Sequence, residues 1–356
     1  MGSMKLKHLP EDFRVEELIQ PKLGEGELTY FWLTKKGWTT EGALRAIARA
    51  MRINYRRLKF AGTKDKHAIS KQAVSAFKIP KERLEGLKIK DLTIDVIGTG
   101  EEPLSLGTLQ GNKFTIVVRD VDNAPNATKV EDIKEGFLNL FGKQRFGRGN
   151  THLIGKAIIL GELEKACEEI LCFIADNEFL DKKEFRQRIK AHWGKWAELI
   201  PQIPRGMHIE ADVLKWLEHH PTDFAGAMRN LPKHLRRLYV HAYQSWIFNQ
   251  ALLQTPNAQG LLPVPGSKTV LGRDEFSQNV QKLLDKEGIL LTDFGCERMP
   301  ELRSEGDVRE ARVTIKDLQV SPAQPDDAFE GKQKVTVSFS LPKGCYATVL
   351  VEQLFS

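Results

Sequence analysis

The chain has 356 residues, of which 41% are hydrophobic and 28% charged, a balance that fits a soluble globular protein and is too long for one ordinary core, so two domains are expected. No apolar run approaches ~18 residues and the N-terminus carries no long apolar stretch, which argues against a membrane span and a secretory signal. A formal net charge of +6 leans toward an anionic partner such as nucleic acid, weakly when taken alone.

Met1, Gly2 and Ser3 ahead of Met4 read as residues left by expression cloning before the native start. "EDFRVEELI" (11–19) alternates polar and apolar residues as a half-buried strand does. "GEGE" turns the chain, and "LTYFWLTKKG" (28–37) reads as a second, aromatic-rich strand. Thr40 is expected to cap a helix over "EGALRAIARAMRI", whose apolar residues recur at helical spacing. "LKFAGTKDK" gives a short strand and then a loop at Gly62, followed by strand-like "AISKQAVSAFKI". "LTIDVIGTG" and "KFTIVVRDV" are further strands, and "VEDIKEGFLNLFGKQRFG" starts helical and breaks at Gly142. Residues 157–250 are helical in pattern, whereas 256–300 are rich in Gly, Pro and short strand segments. Strand-like runs return in "EARVTIKDLQV", "KVTVSFSL" and "YATVLVEQLF", with "SPAQPDDAFEG" (321–331) as a loop. A sheet-rich, helical, then sheet-rich order suggests an α+β chain with one domain inserted into another.

Several chemistries find no support. "GRGNTH" (147–152) lacks the third glycine and the preceding strand of a dinucleotide loop, and "GTKDK" is not a phosphate-binding Walker loop. There is no H-E-x-x-H, and His219 and His220 are adjacent rather than one helical turn apart, so no metal site is expected. The H-x-E and P-C-x-x-C pattern of zinc deaminases is absent. Cys167, Cys172, Cys296 and Cys345 match no zinc or redox spacing and read as free thiols of a reducing cytoplasm.

Three stretches remain: "KHLPEDF" (7–13), "FAGTKDKHAISKQ" (60–72) and "NLFGKQRFGRGN" (139–150). Taken singly, Lys7 reads as a surface lysine, Asp65 as a turn aspartate and Phe141 and Phe146 as core aromatics. Taken together they suit RNA better than packing. Glycines let a ligand approach the backbone, Arg145 can grip phosphate in a bidentate way, and a phenylalanine can stack on a base. Asp65 stands alone among cations, which favour its ionised form. Lys64, Lys66 and Lys71 are candidate backbone contacts beside their ordinary reading as solvated lysines. Arg236 and Arg237 are candidate phosphate contacts, while the spacing of Tyr239, Tyr243, Trp246 and Phe248 favours core packing.

The stretches "PEDF", "FAGTKDKHA", "GTLQGNKF", "NLFGKQRFG", "HAYQSWIFN" and "LPKGCYAT" resemble, in order, the signatures of the TruD-type tRNA pseudouridine synthases. The resemblance implies a catalytic pseudouridine-synthase domain over residues 4–156 and 305–356, built on a mixed, largely antiparallel sheet. It also implies an inserted α/β TruD-specific domain over 157–304. The implied activity is conversion of a tRNA uridine, at position 13 in that family, to pseudouridine. Residue by residue, Asp65 matches the catalytic aspartate and Phe141 the aromatic that stacks on the target base. Asn139 matches the asparagine near that aspartate, and Lys7 the basic residue before "PEDF". One departure is Glu101 and Glu102, which stand where cations are common. The implied partner is tRNA, with no membrane, small-molecule cofactor or obligate protein partner. Whether Asp65 acts as nucleophile or base stays open. Two rivals differ in kind. A non-catalytic RNA-binding module would not turn over, and an RNA methyltransferase would need a methyl donor.

Overall fold

The computed structural model describes residues 4–105 and 108–356; Met1–Ser3, Leu106 and Gly107, the first residue of "GTLQGNKF", lie outside the described residues. Contacts divide the chain into two compact units, one of residues 1–137 and 313–356, the other of Leu138–Arg312.

The first unit is built on a nine-stranded mixed sheet. Its strands are β1 (Phe13–Leu18), β2 (Leu28–Lys36), β3 (Leu58–Phe60), β4 (Ile69–Phe77), β5 (Leu92–Gly100), β6 (Gly111–Val121) and three from the C-terminal segment, of which Gln333–Pro342 is the longest. The order runs Gln319–Val320, Gln333–Pro342, β6, β1, β4, β2, β5, with β3 also on β4 and Gln324–Pro325 also on Gln333–Pro342. β1 runs parallel to β4, and the other pairings are antiparallel. One helix, α1 (Thr40–Ala50), lays Ala43, Leu44, Ile47 and Ala48 on a core shared with Phe31, Leu33 and Val74. Its cap is Thr39 rather than Thr40: the Thr39 Oγ1 accepts the Gly42 amide at 3.0 Å. Thr40 is buried and its hydroxyl serves another purpose, described below.

Two further elements differ from their sequence expectation. The helix Ala127–Glu135 ends at Gly136, ahead of the break expected at Gly142. "YATVLVEQLF" forms a helix, Ala347–Leu354, not a strand. Its β-branched residues favour strand locally, but Ala347, Leu350, Val351 and Leu354 fall on one helical face and are buried there.

The second unit is mainly helical around one large core, with a two-stranded sheet of Leu261–Val264 and Asp307–Glu310. The helix Lys233–Leu253 runs through this core, and Tyr239, Tyr243 and Phe248 are buried along it. Thr151–Ile159 packs against it so closely that a Cβ on Gly155 would sit 2.0 Å from the Tyr239 carbonyl oxygen. That contact holds residues 151–156 against the second unit, and the contact units meet at 137/138 and 312/313, where the sequence reading put its boundaries at 156/157 and 304/305. In the 256–300 region the structure has a helix, Glu275–Glu287, between an Asp274 cap and a left-handed Gly288. Among the described residues no helix is long and apolar enough to cross a membrane.

Candidate active site

Asp65 lies in the loop joining β3 to β4, with 49% of its side chain exposed. The Lys7 ammonium donates to Asp65 Oδ2 and lies 4.3 Å from the Phe13 ring centroid. Lys7 adopts a left-handed backbone, φ 60°, which a lysine holds only when its surroundings enforce it. The enforcement is visible on both sides. Lys5 exchanges two main-chain hydrogen bonds with Arg119, at 2.9 and 3.1 Å. On the other side, Asp12 Oδ2 accepts the Leu9 amide at 2.8 Å. The buried Arg119 guanidinium donates to both Asp12 oxygens at 3.0 Å and to Asp326 and Asp327 at 2.7 Å. The acid of "PEDF" therefore anchors the segment that presents Lys7.

Buried polar groups grip the loop itself at successive residues. Gln72 Nε2 donates to the Gly62 carbonyl at 3.3 Å. Thr40 Oγ1 accepts the Lys64 amide at 2.9 Å and donates to Gln72 Oε1 at 2.8 Å. The Lys64 ammonium donates to Glu17 Oε1 at 2.5 Å, and Glu17 Oε2 accepts the Ala73 amide at 2.9 Å. Lys35 donates to the carbonyls of Trp38, Lys64 and Asp65 at 2.7, 3.3 and 2.9 Å.

In the second unit, Asn139, Phe141 and Arg145 come together. Phe141 is half-buried, and its main chain is pinned by Asn249, whose amide accepts the Phe141 N–H and donates to its carbonyl, both at 2.8 Å. Its ring lies edge-on to Phe248 at 5.6 Å. The guanidinium carbons of Arg309 and Arg145 sit 4.2 and 5.4 Å from the Phe141 centroid. Arg145 donates to Ser245 Oγ at 3.2 Å. Asn139 is buried and its side chain is committed: Nδ2 donates to the Glu310 carbonyl at 3.0 Å and Oδ1 accepts from Arg309 at 2.6 Å. Phe141, Arg145, His241, Asp307 and Arg309 are among the residues lining a cavity of about 180 Å³. Burial holds the His241 imidazole below its ordinary pKa, and the charges of Arg145 and Arg237 act in the same direction. The cavity thus offers an aromatic ring beside two cations, chemistry suited to a base and its phosphate.

The family model of tRNA pseudouridine synthase D (TruD) matches residues 2–259 and 253–354. The chain belongs to the TruD family. It is 34% identical to a Methanopyrus kandleri protein named "Probable tRNA pseudouridine synthase D", over 95% of this chain and 89% of that one. It is 31% identical to the tRNA pseudouridine synthase D of Syntrophotalea carbinolica, over 98% and 95% of the two chains. The crystal structure of a Methanosarcina mazei protein described as "Putative tRNA pseudouridine synthase D (TruD)" superposes with a TM-score of 0.84 at 30% identity, covering 100% of this chain and 94% of that one.

Several residues that shape this TruD chain's candidate site escaped the sequence reading. Lys35 and Glu17 sit at inward positions of otherwise apolar strand faces, a signal visible in the alternation of β1 and β2. Asn249 lies inside the "HAYQSWIFN" signature, which was read for its aromatics. Arg309, in "SEGDVREARV", carries no periodic or motif signal. Two expected RNA contacts are otherwise engaged: Lys64 with Glu17, and Arg236 with Glu301 at 2.7 Å and the Leu231 carbonyl at 3.0 Å. Lys66 and Arg237 are exposed, and Lys71 lies over the Trp32 ring at 5.2 Å. Glu102 pairs with Lys22 at 2.9 Å. Cys167, Cys172 and Cys296 are free thiols, and burial pushes them up to about 12, far from thiolate chemistry at neutral pH.

Proposed function

We propose that this protein converts a uridine of tRNA, at position 13, to pseudouridine, with the Asp65 carboxylate as the reacting group. The observation that carries the reading is Asp65 itself: a half-exposed carboxylate, charge-compensated by Lys7, on a loop gripped at its main chain by buried side chains. The isomerisation breaks the bond between C1′ and N1, turns the base and joins C5 to C1′; a proton leaves C5 and N1 gains one. No electrons leave the substrate and no second substrate enters, so one carboxylate suffices. It serves either as a nucleophile at C1′ or as a base at the sugar.

Phe141 offers its ring to the target base, which must leave its stack to react. Arg145 neutralises phosphate, and Asn139 acts through Arg309 and the main chain of its loop rather than by direct contact. The free thiols of Cys167, Cys172 and Cys296 suit a cytoplasmic setting. The test is to incubate purified protein with unmodified tRNA transcripts and map pseudouridines. One new pseudouridine at position 13 is expected; tRNA left unmodified would refute the activity, and modification elsewhere would refute the site.

A further inference from the structure

Lys35 is fully buried on β2, on the face that carries Phe31 and Leu33 into the core. A lysine there is costly. Burial pulls its ammonium down to about 8; the charge of Asp65 opposes this and that of Lys64 adds to it. If the position served packing alone, an apolar side chain would continue the row at less cost. Lys35 instead spends its three donors on three carbonyls, of Trp38, Lys64 and Asp65. Two of the three belong to the loop that bears the proposed reacting group, and one is the carbonyl of Asp65 itself. Thr40 and Gln72 grip that loop upstream, at Lys64 N and Gly62 O.

We propose that Lys35 is a positioning residue for Asp65, fixing the peptide from which the carboxylate projects by gathering the Trp38, Lys64 and Asp65 carbonyls on one ammonium. This rests on the reading of Asp65 as the reacting group. A displacement of about 1 Å at a reacting centre is enough to lower a rate by about a hundredfold, so the effect belongs in the chemical step. RNA affinity is not involved, because a buried ammonium offers nothing to phosphate. The charged groups on the packed elements are Asp65 and Lys64 on the loop, Glu17 on β1 paired with Lys64, and Lys7 paired with Asp65.

The experiment measures single-turnover pseudouridine formation at saturating protein, beside tRNA affinity and thermal melting. Lys35→Met keeps the length of the side chain and removes charge and donors. At saturating protein the rate constant does not depend on how much of the protein is folded, so loss of stability alone leaves it unchanged. The expected result is a rate constant about thirty- to a thousandfold lower, with the tRNA dissociation constant within threefold of wild type. Lys35→Arg keeps the charge but cannot place three donors from one nitrogen. It should fall about tenfold, and it decides the matter alone if Lys35→Met does not fold. A wild-type rate constant in Lys35→Met, or in Lys35→Arg where only that variant folds, overturns the proposal. Asp65→Asn is run in parallel. If it is inactive while the Lys35 variants react normally, only the positioning role falls. If Asp65→Asn itself reacts normally, the reading of Asp65 falls and the role of Lys35 with it.

Discussion

The 62–65 loop of the first unit and the 139–145 loop of the second present a functional group in the same way and hold it with different chemistry. Each leaves a side chain accessible, Asp65 in one and Phe141 in the other, and clamps the main chain beneath it. Around Asp65 the clamp combines ions with neutral groups: Lys35 on three carbonyls and a buried Lys64–Glu17 pair, beside Thr40 and Gln72. At Phe141 itself a neutral amide carries it, with Asn249 bonding both the N–H and the carbonyl, while the Arg309 guanidinium holds the Asn139 carbonyl two residues upstream at 2.7 Å. A carboxylate that must stay charged in place is served by nearby cations. A ring proposed to receive a base needs a fixed backbone, with the Arg145 and Arg309 guanidinium groups beside it. The bonds of Lys35 should therefore respond to pH and to removal of a single charge, and those of Asn249 should not respond to pH.

The largest effect is expected at Glu17. Its side chain is fully buried and that of Lys64 is 8% exposed. Glu17→Gln strands a buried ammonium, and should lower unfolding stability by about 3 kcal/mol or more. A urea midpoint close to wild type would show the pair to be dispensable. Asn249→Ala leaves the Phe141 N–H and carbonyl unmet and should cost about 2 kcal/mol. Its urea midpoint should drop by the same amount at pH 7 and pH 9; a cost that changes between them would erase the contrast between the clamps.

Phe141→Ala should weaken productive placement of the uridine by about 1–3 kcal/mol, read as the rate at limiting protein, while Phe141→Tyr stays within a few-fold. Full activity in Phe141→Ala with a normal melt would assign the ring another role. For Lys35, the folded-state pKa of about 8 lies below the ordinary 10.5. Between these values the unfolded chain binds the proton that the folded chain has released, so the contribution of Lys35 to stability should rise with pH from about 8 upward. The buried cysteines oppose this above about pH 9 in both proteins, so the reading is the difference: over pH 8–10 wild type should gain stability relative to Lys35→Met. The same slope in both would remove Lys35 as its source. The smallest effect concerns the exposed Lys66. Lys66→Ala should reduce the slope of log affinity against log salt by about 0.7–0.9, the share of one phosphate contact, and an unchanged slope would leave it a solvated lysine.

Much of the first unit was legible because its strands alternate. β1, β2 and β5 fall close to where the apolar period placed them, and "FAGTKDK" marked the loop. The C-terminal helix was not legible as one, because Val349, Leu350 and Val351 form a short apolar run that suits strand and helix alike. The Glu275–Glu287 helix had an Asp cap and a terminal glycine, but the surrounding prolines and glycines masked its 3.6-residue period. At the site, local motifs marked the groups that face outward. The clamp beneath them comes from distant strands and helices. Glu17, Lys35 and Thr40 meet the loop only through tertiary contacts, and a polar residue on an apolar strand face was the only local sign of two of them. Thr40, assigned as a cap from its place before a helical period, lost that role to Thr39 and bonds Lys64 and Gln72 instead.

The central claim, that the Asp65 carboxylate reacts with the flipped uridine, is tested most directly by Asp65→Asn in single-turnover pseudouridine formation measured beside tRNA binding. The change is nearly isosteric and removes only the charge and the reactive oxygen. Product should fall to background while tRNA affinity is kept or slightly raised, since one anion has left a surface that meets phosphate. Turnover near the wild-type rate would contradict the account, because an aspartate that only shapes a turn is replaced well by asparagine.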